Sequence, residues 1–409
     1  MKNKKEKKIA IFLDTRKQSG GEYQHLIYTI NNLKKNNKNG HKFLIICLSK
    51  SLNLELEKKF DIEVKYFSLN SFERYINYLR NHNSLIRRIK KYFFKNKFEL
   101  FLKKNNVDII YFTSPSQYSL YLEDTKFLIT VPDVDHRHHI EFPEAVNNSE
   151  FERKNEIFSK ALPKALAIFT NAKIIKERLK KYYNISEERV YIINLRPAHS
   201  VNNFVYEKDK HDYYNKKFNL TEGYIYYPAM YLPHKNHKTV IDVIKLLKER
   251  YELDFKAVFS GGDVGYKKEL LKYCEKSEIK QNIIFLDFVE DDALPYLYKN
   301  AFALLFPVLM GPTFTPLWEA FKLEIPVIFS ELEGTKDVYG DAVIYVDPFN
   351  VEELALAVKR LKNDKMLIKD LTNKGKLKID EINKKNEYKQ IFEVIDNYRK
   401  ISKTWNMNN

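Results

Sequence analysis

Four short stretches carry the residue types that could do chemistry. The first is Met310–Ala320, MGPTFTPLWEA, an uncharged Gly-Pro-Thr loop running into a helix with one glutamate. Thr315 before Pro316 is a good N-cap, with proline at the first helical position. Glu319 falls early in that helix, where a carboxylate meets the positive end of the dipole. One reading is a well-made helix start with a surface acid. The other is an anion site. The loop has no negative charge, and backbone N–H groups at Thr313, Phe314 and Thr315 face whatever lies over the helix. Glu319 would then accept hydrogen bonds from ribose hydroxyls.

The second stretch is YPAMYLPHKNHK, 227–238. Lys235 stands just after an apolar run and at a helix start, where an ammonium can neutralise a diphosphate as a point charge. A solvated lysine in a lysine-rich chain is the plainer reading. Its histidines, with no carboxylate close in sequence, do not have zinc-ligand spacing. The third stretch is SGGE, 19–22, whose two glycines allow close backbone approach to a ligand. It is not GxGxxG, and no acid ends the second strand, so a dinucleotide fingerprint is absent. The fourth is TVPDVDHRHHIEFPE, 130–144. Its order of Asp and His fits no metal spacing. Asp133 or His136 in an acid–base role is the alternative to a plain polar loop.

These stretches need elements to hold them. KIAIFL, KFLIIC, VDIIYF, KFLITV, ALAIFT and RVYIIN read as strands that alternate with helices, a parallel α/β pattern. The pattern lapses over about 197–222, which reads as a connection. It restarts with GYIYYPA, FKAVFSGG, NIIFLDFV, FALLFPVL, IPVIFS and AVIYV, again alternating with helices. The segment 366–402 reads as helical and charged. A chain of 409 residues is too long for one ordinary core. In open α/β sheets ligands bind outside the carboxyl ends of the strands, and all four stretches fall there.

Composition narrows the class. No run reaches the roughly 18 apolar residues of a membrane-spanning helix, and no signal peptide is read at the start. Cys47 and Cys274 lie far apart, which fits a reducing cytoplasm. The net charge is +16, unevenly placed. Ser71–Asn105 has ten Lys or Arg against two acids, and Gln281–Asn350 has three against eleven. LIRRIKKYFFKNKFELFLKK, 85–104, interleaves bases with aromatics. It reads either as a helix on the first sheet with a solvated basic face or as a peripheral dock on anionic lipid. No nucleic-acid motif accompanies the charge.

In this order the stretches resemble the GT-B glycosyltransferases of family 4, which transfer a sugar from a nucleotide donor with retention. The resemblance covers nearly the whole chain and is most specific in YPAMYLPHKNHKTVIDVI and in the region from NIIFLDFV through MGPTFTPLWEAFKLEIPVIFS to VEELALAV. It implies an α/β chain of GT-B architecture, two Rossmann-like parallel-sheet domains facing a central cleft. The implied division is 1–200, an acceptor-side domain; 201–222, a connection; 223–380, a nucleotide-sugar-binding domain; and 381–409, a helical tail crossing back to the first.

By the same resemblance Lys235, with His234 beside it, would bind the donor diphosphate, and Glu319 would hold the ribose. Thr313, Phe314 and Thr315 would present N–H groups to the donor sugar and phosphate. Gly261 and the Phe288–Val289 region would border the base, and Gly20 and Gly21 would let the first domain close over the phosphates. Asp133 or His136 would orient the acceptor hydroxyl. Three positions depart from the common pattern. Gly311 stands where many members have a glutamate, Met230 where many have an arginine, and Pro132 where many have a histidine.

The implied activity is metal-independent sugar transfer, without cofactor, to a saccharide or lipid-linked acceptor in cell-surface polysaccharide assembly. The implied location is the cytoplasm, with peripheral docking on the inner membrane face through 85–104 as the extension. A nucleotide-sugar epimerase on the same fold and a non-catalytic nucleotide-sugar-binding subunit stay open beside it.

Overall fold

A computed structural model of the protein describes residues 6–14, 21–82 and 96–404. The chain divides into two compact units. The first comprises 1–138, 146–193 and 386–409, and the second 139–145 and 194–385.

The first unit holds strands β1 (Lys8–Leu13), β2 (Lys42–Cys47), β3 (Glu63–Tyr66), β4 (Ile109–Phe112), β5 (Lys126–Thr130), β6 (Ala167–Thr170) and β7 (Val190–Ile192). They form one parallel sheet in the order β3-β2-β1-β4-β5-β6-β7. Helices cover both faces, so β1, β4 and β6 are buried almost throughout and their sequences are near-continuous apolar runs. The order reverses between β1 and β4, which opens a crevice at the carboxyl ends of those two strands.

The second unit repeats the plan. Strands β8 (Tyr224–Pro228), β9 (Ala257–Ser260), β10 (Ile283–Leu286), β11 (Ala301–Phe306), β12 (Val327–Ser330) and β13 (Ile344–Val346) pair in parallel in the order β10-β9-β8-β11-β12-β13. Here the switch lies between β8 and β11. The loops leaving those strands are YPAMYLPHK and PVLMGPTF.

Two elements differ from expectation. The stretch 201–222 is not a featureless connection. It clusters with the second unit and contains the helix Lys208–Phe218, ended by Asn219 in the left-handed region. Few apolar residues hold that helix. Tyr214 packs against Tyr296, and the His211 ring meets Asn300 Oδ1 at 2.6 Å. The 366–402 segment is two helices, Lys365–Lys384 and Lys389–Ser402. The second lies in the first unit, where Tyr388, Ile391, Phe392 and Ile395 join the core behind β1 and β2.

Of the basic stretch 85–104, residues 83–95 lie outside the described residues. The remainder is the helix Lys97–Lys104, capped by the Asn96 side chain, with Phe98 and Leu102 buried. Among the described residues no helix is long and apolar enough to cross a membrane.

Candidate functional site

Lys235 is positioned by backbone and aromatic contacts. After β8 the chain makes a 3-10 turn, Pro233–Lys235, then passes through Asn236 in the left-handed region into the helix His237–Tyr251. The Asn236 amide donates to the carbonyls of Pro307 and Pro348, 3.0 Å each, and the Leu309 N–H donates to the His234 carbonyl at 2.9 Å. These bonds tie the turn to the end of β11. Beneath it the Tyr227 hydroxyl donates to the Lys235 carbonyl. The Lys235 ammonium lies 4.9 Å from the centroid of the Phe314 ring, so it stands over the start of the next loop's helix.

That helix is Thr315–Lys322. Phe314 is its N-cap and Thr315 its first helical residue, so Thr315 does not cap it as expected, and Pro316 stands second. The Phe314 N–H is not available to a ligand either. It donates to the Tyr339 hydroxyl at 2.7 Å. Among the described residues no group accepts from the N–H of Thr313 or Thr315, which leaves the positive tip of the helix with two outward donors. Gly311 in the same loop has φ +101°, and a Cβ there would meet the Phe314 ring at 2.8 Å. A glutamate at 311 would have to displace the ring on which Lys235 rests. The loop is built around having none.

Glu319 is the largest correction. The helix is apolar on nearly every side, with Leu317, Trp318, Ala320 and Phe321 all buried, and Glu319 is buried with them. It is not a surface acid. Its Oε2 accepts from the Tyr298 hydroxyl at 2.8 Å and its Oε1 from the Ala198 N–H at 3.3 Å. Burial pushes its carboxyl up to about 7, against the opposing pull of those two hydrogen bonds.

The sign of the linkage follows. Between pH 4.5 and 7 the unfolded chain has lost this proton and the folded chain retains it, so stability falls as pH rises through that window. The loss is roughly 3 kcal/mol, complete above about pH 7. Glu319→Gln is expected to flatten the difference in unfolding free energy between pH 5 and pH 8. A variant with the wild-type slope would show that Glu319 ionises freely.

The loop after β9 lies against the loop after β8. Gly261 has no room for a side chain, because a Cβ would stand 2.1 Å from the Ala229 carbonyl oxygen. Tyr231 crosses beneath, its N–H donating to the Gly262 carbonyl and its hydroxyl to the carbonyls of Phe259 and Leu286. Phe288 and Val289 follow β10, with Phe288 about half exposed and Val289 packed on the core.

His234 faces a residue not anticipated. Glu144 Oε1 lies 2.9 Å from His234 Nδ1 and accepts from the His234 N–H at 3.3 Å, while Phe142 stands edge-on to the same ring. Both come from the segment 139–145, which clusters with the second unit.

In the first unit Asp133 follows β5. Its Oδ1 accepts from the Asp135 N–H and lies 3.8 Å from the Lys154 ammonium. His136 is sealed inside. Its Nε2 meets the Tyr183 hydroxyl at 2.7 Å, and Phe158 packs edge-on. Burial, helped by the Lys154 charge, pushes its pKa down to about 4. The ring is therefore neutral and inaccessible near pH 7, which removes His136 from the acid–base role expected of it. Gly20 lies outside the described residues, and Gly21 opens the helix Gly21–Asn36.

Two doubly wound parallel sheets, the second carrying a lysine over a helix tip at its switch point, are the GT-B fold of glycosyltransferases. Residues 209–378 match the family model described as Glycosyl transferases group 1. A curated relative, the O-antigen chain mannosyltransferase RfbU of Salmonella typhimurium, is 27% identical over 208 residues, 48% of this chain and 54% of that protein. The chain spans about half the length of the curated relatives it matches first.

Among solved structures, a glycosyltransferase from Rickettsia africae aligns over 99% of this chain and 100% of its own, with TM-score 0.67 and 16% identity. Anabaena HepE in complex with UDP-glucose aligns over 97% and 98%, with TM-score 0.68 and 14% identity.

Proposed function

We propose that the protein is a retaining glycosyltransferase of family 4. It would move a sugar from a nucleotide-sugar donor to a saccharide or lipid-linked acceptor in the assembly of a cell-surface polysaccharide. The observation that carries this reading is the pairing of the Lys235 ammonium with the tip of the Thr315–Lys322 helix, inside the segment matching the family.

The reaction breaks the bond between the anomeric carbon and the donor diphosphate and forms one to an acceptor oxygen, whose proton leaves. Negative charge grows on the departing phosphate. Stabilising it needs positive groups already in place. Lys235 supplies a full charge, and the Thr313 and Thr315 N–H groups supply oriented partial charges. These donors do not require a metal, so transfer is expected to proceed in EDTA. The buried Glu319 carboxylate keeps lone pairs beyond the two it uses, through which it can meet a ribose hydroxyl once the donor is bound.

The name of RfbU makes mannose the first sugar to try. Incubation with GDP-, UDP- and ADP-sugars, with and without EDTA, tests the reading. Release of nucleotide diphosphate together with transfer or hydrolysis of the sugar is expected for at least one donor. An isomerised donor would make the protein an epimerase, and binding without turnover would make it a non-catalytic subunit.

A further inference from the structure

The first unit has a built cavity at its own switch point. It lies at the carboxyl ends of β1, β4 and β5, has a volume of about 410 Å³, and its walls include Asp14, Ser114, Asp133, Arg153, Lys154 and Phe158. A second chamber of about 150 Å³ shares Asp14 and Arg153 with it and continues to Arg74, Gln117, Tyr118 and Tyr121. Ligands of doubly wound sheets sit at such crevices.

The charges lining the two chambers are balanced within the protein. Arg153 is held by Glu150 through two hydrogen bonds of 2.8 and 2.7 Å. The Lys154 ammonium stands 3.5 Å from Glu150 and 3.8 Å from Asp133. An anionic ligand would meet Asp14 and Asp133. A cationic one would meet Arg74, Arg153 and Lys154. Either would enter at an electrostatic cost, because one set of fixed charges always opposes it. A hydroxyl both donates and accepts, so a polyol satisfies the carboxylates and the guanidinium groups together. The Tyr118 and Tyr121 rings, edge-to-face at 5.6 Å, add an apolar wall of the kind a sugar face covers.

We propose that the two chambers bind an uncharged saccharide of two rings, with its terminal ring at Asp133 and the next ring between Arg74 and Tyr121. Resting on the glycosyltransferase reading, this saccharide is the end of the acceptor chain. Asp14 and Arg153 form the shared wall that both rings touch. Arg74 selects for the second ring.

Saturation-transfer NMR of the full chain, with no nucleotide present, tests the proposal. The probes are methyl α-mannoside, the α1→2, α1→3 and α1→6 mannobioses, cellobiose, mannose 6-phosphate and glucuronic acid. At least one disaccharide is expected to bind tenfold or more tightly than methyl α-mannoside, and neither charged sugar is expected to bind more tightly than it. Arg74 is exposed, so Arg74→Ala should fold. It is expected to bring disaccharide affinity down to that of the monosaccharide while moving the monosaccharide less than twofold. Equal affinity for one and two rings, preference for a charged sugar, no binding by any probe, or indifference to Arg74→Ala overturns it. A protein that turns over a nucleotide sugar yet binds no disaccharide refutes this proposal alone. One that binds the disaccharide and no nucleotide sugar refutes the transferase reading instead.

Discussion

Lys235→Ala is expected to lower kcat/KM for nucleotide-sugar turnover by about 10²–10³-fold, the usual cost of losing one preorganised group opposite a growing negative charge. The effect should fall on chemistry and donor binding and leave folding alone. The turn around Lys235 is held by main-chain bonds and by Asn236, none of which uses the ammonium. What the ammonium contributes to stability is its contact with the Phe314 ring, about 0.5–1 kcal/mol at a partly exposed site. Steady-state kinetics beside thermal unfolding separates the two. Turnover within threefold of wild type in a folded Lys235→Ala protein would remove this residue, and with it the proposed site, from the reaction.

Gly261→Ala should have the largest structural effect. Its new methyl group would stand 2.1 Å from the Ala229 oxygen and 2.8 Å from the Met230 nitrogen. Both obstacles are backbone, so no rotamer change relieves them, and the loop after β8 must move as a body. We expect a loss of about 3 kcal/mol or more. In a unit of this size that is roughly 6–12 °C in Tm, and donor affinity should fall because the same loop carries Lys235. Gly262→Ala is the control, since a Cβ there meets nothing within 4 Å. It should change stability by less than about 0.5 kcal/mol. Equal melting of the two variants would mean that the close approach at Gly261 is not maintained in solution.

Much of the fold was legible because parallel strands covered on both faces must be apolar along their whole length. AVFS, AFALLF and VIFS are such runs, and each is a strand. The helix Lys208–Phe218 was not legible, since its packing rests on scattered aromatic residues with no period.

At the site, the positions of Lys235 and the helix tip were readable from local order alone. Three features were not, because each depends on a partner distant in sequence. The Phe314 N–H is taken by Tyr339, 25 residues on, and His234 by Glu144, 90 residues back. Gly261 reads equally well as room for a ligand and as room for Ala229. The burial of Glu319 did have a signal. A helix reading Leu-Trp-Glu-Ala-Phe is apolar on every side, which marks an interior helix and so an interior acid.

The helix Lys389–Ser402 completes the core behind β1 and β2, and the Tyr388 hydroxyl sits 3.1 Å from that of Thr29, a residue 359 positions earlier. Translation therefore delivers nearly all of the second unit before the piece that seals the first. The nascent first sheet must wait, with apolar surface uncovered, for as long as about 190 further residues take to emerge, some 10–40 s at ordinary elongation rates. Over that interval it is a natural client for a chaperone, and the order of assembly runs from the later half of the gene product to the earlier.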